Sequence, residues 1–124
     1  MALGKIKADT LEHSTAGSLD TSYVVNGSAK AWVKFDSDFV ADNSLNVSSV
    51  TDVAAGTADI NYSSNMANAN TAVCANALVT STAASASTSM AYSFATNNHR
   101  NLCSSNGVNT DENQRASIVM GDLA

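Results

Sequence analysis

The run from Asn26 to Val73, NGSAKAWVKFDSDFVADNSLNVSSVTDVAAGTADINYSSNMANANTAV, decides the fold. It opens with Ala29 to Phe35, where Ala29, Ala31, Val33 and Phe35 alternate with Lys30, Trp32 and Lys34. Side chains alternate between the two faces of a strand, so this pattern predicts a half-buried strand whose first set faces a core. The second set places the single tryptophan between two lysines. Two readings of Trp32 stay open. Lysine stems can cover an exposed indole, or the ring can pack into another subunit, since interface cores are rich in aromatics. Further along, Leu45 to Thr51 alternates and then loses phase at Ser48 to Val50, as a bulge or strand end does. Gly56 marks a turn and Thr57 to Tyr62 alternates again, so the two segments read as a hairpin.

Beyond that stretch, Thr71 to Thr80 carries small apolar residues in both registers and reads as a strand buried on both faces. The low-complexity run Ser81 to Ser89 reads as a loop. Met90 to Ala95 reads as a strand with Tyr92 and Phe94 inward. Thr96 to Gln114 is a long polar connection of the kind that forms functional surface loops. Arg115 to Met120 closes the chain as a strand with Ala116, Ile118 and Met120 on one face. About seven short strands and no helix predict an all-β fold, a small antiparallel β-sandwich or barrel-like domain over residues 26–124. Residues 1–25 precede it as an extended N-terminal arm without a helical stripe. Such an arm stays ordered only when docked. Ile6, Leu11 and Tyr23, together with Trp32, are therefore the expected interface with another subunit or partner.

The chain has 124 residues, no proline, 14% charged residues and a net charge of -5. Roughly a third of it is Ser, Thr or Asn, which favours turns and surface hydrogen bonds. Alanine dominates the apolar fraction, so each strand removes less area from water than a Val or Leu strand, at about 25 cal/mol per Å². Subunit interfaces supply burial that such a chain lacks, which favours a symmetric oligomer. The acidic balance argues against a nucleic-acid partner, which requires a concentrated basic patch. No run is apolar enough for membrane insertion or a signal-peptide core, so folding in a cytoplasm is expected. Cys74 and Cys103 lie in no metal-type spacing; a disulfide and two buried thiols both stay open.

The words NGSAKAWVKF, SLNVSSVTD, ADINYSSNM and ANTAV, in that order, resemble a module of tail-fibre-like structural proteins of bacteriophages, many of them marine. The preceding KADTLEHSTAGSLDT resembles the leader of that module. The likeness covers roughly the first 75 residues and beyond Val73 only the strand-and-loop rhythm continues. The chain departs from the pattern at DSDFVAD, where the family has a short glycine turn, and at Thr71, where an aromatic follows in the family. The resemblance implies a non-enzymatic virion protein: a homotrimer docked on other phage virion proteins by residues 1–25, with a β domain presented for host attachment. Two further readings are a capsid decoration protein that stabilises the phage head and a surface-glycan hydrolase.

Individual residues are less telling. Asp36, Asp38, Asp42 and Asn43 raise calcium binding, but no mid-loop glycine or closing glutamate completes a calcium loop, and a self-capping turn is expected. His13 and His99 lack metal-type neighbours, so neither a metal nor a cofactor is expected. No glycine-flanked nucleophile is present, and the adjacent Asp111 and Glu112 point to opposite faces of a strand, which argues against an enzyme. Within the long polar connection, Asn98, His99, Arg100 and Asn101 are the expected binding residues for a host-surface glycan or receptor.

Overall fold

The computed structural model describes residues 7–78 and 87–124. Ile6 and most of the low-complexity run lie outside the described residues. The arm folds into a hairpin of β1 (Thr10–His13) and β2 (Gly17–Asp20), followed by a short helix, α1 (Thr21–Gly27). Gly17 supplies the left-handed backbone, φ +89°, that the hairpin turn needs. Asp20 caps α1 by accepting a hydrogen bond from the Ser22 amide at 2.7 Å. The arm, expected to be extended and without a helical stripe, thus holds a hairpin and leads into a helix. A cap and a local pairing suffice for elements too short to show a period.

Seven strands were anticipated. Nine follow α1: β3 (Ala29–Phe35), β4 (Ala41–Leu45), β5 (Val47–Ala54), β6 (Thr57–Tyr62), β7 (Ala72–Leu78), β8 (Ser87–Tyr92), β9 (Asn98–Ser105), β10 (Val108–Asn109) and β11 (Gln114–Met120). They form two antiparallel sheets. One has the order β4-β3-β11-β7; in the other, β5, β6 and β9 are adjacent, β8 pairs the far edge of β9, and β10 continues the line of β6 along β9. The sheets meet at both edges. β4 runs into β5 through Asn46, and β8 runs beside β7. The result is the expected all-β sandwich, closed enough to resemble a flattened barrel.

The corner at Asn46 shows how the chain changes sheets. Its φ of 54° is a conformation that asparagine tolerates better than most residues. Its amide donates to the carbonyls of Lys30 (3.1 Å) and Ser64 (3.0 Å) and accepts from the Ser64 N–H (2.7 Å), tying three segments together. The phase slip read at Ser48 is a register shift between Val47 and Ser49.

The core lies between the sheets. Ala31, Val33 and Phe35 of β3, as expected, meet Ala58, Ile60 and Tyr62 of β6, with Val119 of β11 and Met66 from a loop. Two sequence readings are corrected. β7 is not buried on both faces: Ala72, Cys74 and Asn76 are exposed while Val73, Ala75 and Ala77 are half-buried, because one sheet alone covers it. In β8, Ala91 pairs the buried Asn101 and Tyr92 pairs Arg100, so Ala91 faces inward and Tyr92 outward.

Candidate interaction surface

The outward face of the four-stranded sheet carries an apolar row between polar ones. Trp32 on β3 stands opposite Leu45 on β4 and Ile118 on β11, and Ile118 stands opposite Cys74 on β7. Directly opposed residues of an antiparallel pair share a face. Leu45, Trp32, Ile118 and Cys74 therefore make one row across all four strands, with Leu45 48% and Ile118 47% exposed. Met120, opposite Ala72, extends it. The two lysines beside Trp32 have other partners: Lys34 Nζ bonds Asp42 at 2.7 Å, and Lys30 Nζ bonds the Val25 carbonyl and Ser28 Oγ. The indole thus sits among apolar neighbours, on an open face of the sheet.

The row continues into the arm. Leu45 also lines a groove of about 910 Å³ with Val24, Val25, Ala29, Lys30 and Leu123. Val24 and Val25 in turn line a smaller hollow with Leu11. Of the residues anticipated as interface, Leu11 lines this hollow and Trp32 lies in the row, while Tyr23 is exposed on α1 (70%) and lines neither hollow. Isolated helices as short as α1 are unstable in water, and its Tyr and Val residues are mediocre helix formers. Yet no residue of α1 is fully buried. In the hairpin before it, Leu11 stands opposite an exposed Leu19 and is itself about half exposed. Thr21 holds the two pieces together, its Oγ donating to the carbonyl of Ala8 at 2.8 Å and its N–H to that of Asp9 at 2.9 Å.

The outward face of the other sheet differs. One row reads Thr51, Asp59, Arg100, Tyr92. Arg100 grips Asp59 through two bonds of 2.6 and 2.9 Å, which holds the guanidinium pKa above its usual range, and its cation lies over the Tyr92 ring. Asn61 bonds Ser49 and Thr51, and Thr88 bonds Ser104. These polar groups are paired with one another. The expectation that Asn98, His99, Arg100 and Asn101 form a binding loop is overturned: they belong to β9, with His99 and Asn101 fully buried. The inward positions there are polar, so the sequence alternation that marks a strand is absent.

No protein-family model, curated protein or solved structure matches this chain. Its own chemistry must carry the functional reading. His99 Nδ1 lies 2.9 Å from the Tyr62 hydroxyl and Nε2 lies 3.1 Å from Ser117 Oγ, so both ring nitrogens are satisfied inside the core. Burial pushes the imidazole down to about 4 and the Tyr62 phenol up to about 12. A serine beside a histidine invites a catalytic reading, but Ser117 and His99 are both buried and no carboxylate bonds the ring. Asp36 accepts from the Asp38 amide at 2.9 Å, the self-capping turn anticipated, and Asp42 is committed to Lys34. Among the described residues no cluster of three or more His, Cys, Asp or Glu could hold a metal. Cys74 and Cys103 are both free, one exposed on the outer row and one buried in the opposite sheet. Sequence reasoning missed Leu45, Ile118 and Cys74 as parts of the surface, because only strand pairing brings them beside Trp32.

Proposed function

We propose that this chain is a non-enzymatic structural protein of a bacteriophage particle, self-associating as a trimer and docked on other virion proteins by its N-terminal arm. The observation that supports this reading is the continuous apolar band from Leu11 through Val24, Val25 and Leu45 to Trp32, Ile118 and Cys74. Contiguous exposed apolar surface of this kind marks interaction sites. An arm with no fully buried side chain among its described residues also gains from a partner that holds it. Presentation of the β domain for host attachment rests on the family resemblance alone, since the residues first named for it lie in a strand.

A capsid decoration role is the second reading. It is favoured by the self-paired outward face of the five-stranded sheet, which suits a surface that faces solvent after the arm has docked. Both are tested on particles of the phage that encodes the chain. The full chain is expected to co-purify with particles and a form lacking residues 1–25 to be lost from them. Recovery of the truncated form at full occupancy would overturn arm docking. Particles lacking the chain then separate the two readings: loss of adsorption to host cells supports attachment, and loss of heat resistance with normal adsorption supports decoration.

A further inference from the structure

The interior of the sandwich holds a second polar group, remote from the band. Asn101 on β9 and Arg115 on β11 are fully buried. Neither the Asn101 amide nor any of the three guanidinium nitrogens of Arg115 makes a hydrogen bond with a described residue. The nearest anion, Asp111 Oδ1, is 3.6 Å from Nη2, beyond hydrogen-bond length. Phe35 and Phe39 each place a ring 4.8 Å from the guanidinium carbon, which offsets part of the cost of burying the charge. The five N–H groups, however, radiate in the guanidinium plane and still require acceptors.

The two side chains stand at one level of the interior. His99 meets Ser117, and at the end of β9 Cys103 donates its N–H to Gly56, whose own N–H is held by Asp111. Stepping two residues from the His99–Ser117 contact toward that end reaches Asn101 on one sheet and Arg115 on the other. The inward neighbours opposite Asn101 are Ala58 and Ala91, and one neighbour of Arg115 is Ala77. Alanine side chains reach no polar head and offer no hydrogen bond. One step further, Ser89 Oγ, opposite Cys103, is also unpartnered.

We propose that a small cluster of bound water, on the order of two or three molecules, bridges Arg115, Asn101 and Ser89 and is a built-in part of this fold. Charge decides for water over a bound anion. Asp111 already lies 3.6 Å from the guanidinium and Asp52 and Glu112 add to the negative field there, so a further negative charge is repelled. Water accepts from Arg115 and donates to Asn101 Oδ1, which no single-function ion can do.

The test is water-to-protein magnetisation transfer on the ¹⁵N-labelled full chain, read at the Asn101 side-chain amide and Arg115 Nε–H. Long-lived water contacts are expected at both groups, unchanged by chloride or nitrate. Ala91→Val, which adds two methyl groups beside Asn101, is expected to abolish the Asn101 contact. Absence of water contacts in the unmodified chain, or a saturable shift of the Arg115 signal with either anion, would overturn the proposal. So would an unchanged Asn101 contact in a folded Ala91→Val protein. Should that variant not fold, the unmodified chain decides the matter.

Discussion

The two sheets of this molecule present opposite solutions to the problem of an outer face. On the four-stranded sheet, Leu45, Trp32, Ile118 and Cys74 leave apolar area open to water. On the five-stranded sheet, Asp59 and Arg100, Asn61 and Ser49, and Thr88 and Ser104 satisfy one another across strands. The interiors differ in the same sense. Ala31, Val33 and Phe35 line the first sheet, while His99, Asn101 and Cys103 line the middle of the second. The lesson is that one strand of the five-stranded sheet, β9, turns polar side chains inward while the four-stranded sheet keeps an apolar row outside. A face built that way gains most from association, and the interior around β9 depends on the two hydrogen bonds that hold His99.

The largest effect that separates the sheets comes from acid. The folded-state pKa of His99 near 4 lies below the ordinary 6.5, so the unfolded chain binds more protons between those values. Stability is complete above about pH 6.5, falls as pH drops toward 4 and loses nothing more from this group below that, a total of about 3 kcal/mol. Denaturant midpoints measured between pH 7.5 and 4 check this, and His99→Gln is expected to flatten the dependence in that window. An equally steep slope in the variant would contradict the assignment to His99.

Next comes the apolar row. Trp32→Ala is expected to weaken association by about 2 kcal/mol, as hot-spot truncations do. Folding stability should change less, because the indole already lies on an outward face. Sedimentation velocity across a dilution series reads the first quantity and thermal unfolding at one fixed low concentration the second. Equal loss in both would mean that Trp32 serves the fold rather than a partner.

The paired face should respond weakly. Arg100→Ala removes a part-exposed ion pair, so only a small loss of stability is expected, diminishing with added salt. Asn61→Ala removes two exposed cross-strand bonds and is expected to cost about 0.5 kcal/mol, read by the same unfolding curves. Neither change should alter association. If either did, the distinction between an adhesive and a self-satisfied face would fail.

How much of this was legible in the sequence follows from the same contrast. β3, β6 and β11 alternate apolar and polar residues, so their positions could be read within a residue. β9 could not, because its inward residues are His99, Asn101 and Cys103, and a strand with polar residues on both faces looks like a loop. The arm's Leu11 and Tyr23 could be picked out as apolar residues without a local core, and both are exposed, but α1 is too short to show a helical period. Trp32 was flagged by its flanking lysines. Its row mates were hidden, since Leu45, Ile118 and Cys74 are far apart in the chain and become neighbours only through strand order. Phe39 illustrates the same limit: φ of 59° turns its ring onto Arg115, a contact no sequence pattern announces.

The central claim is that the outward face of the four-stranded sheet is an interface. The most direct measurement is the solution mass of the full chain by light scattering over a dilution series, beside Ile118→Lys, which puts a charge in the middle of the row. An interface there predicts a mass that is a multiple of the chain mass for the unmodified protein, falling to one chain for the folded variant. A single-chain mass for the unmodified protein at every concentration, or an unchanged multiple in the variant, would contradict it.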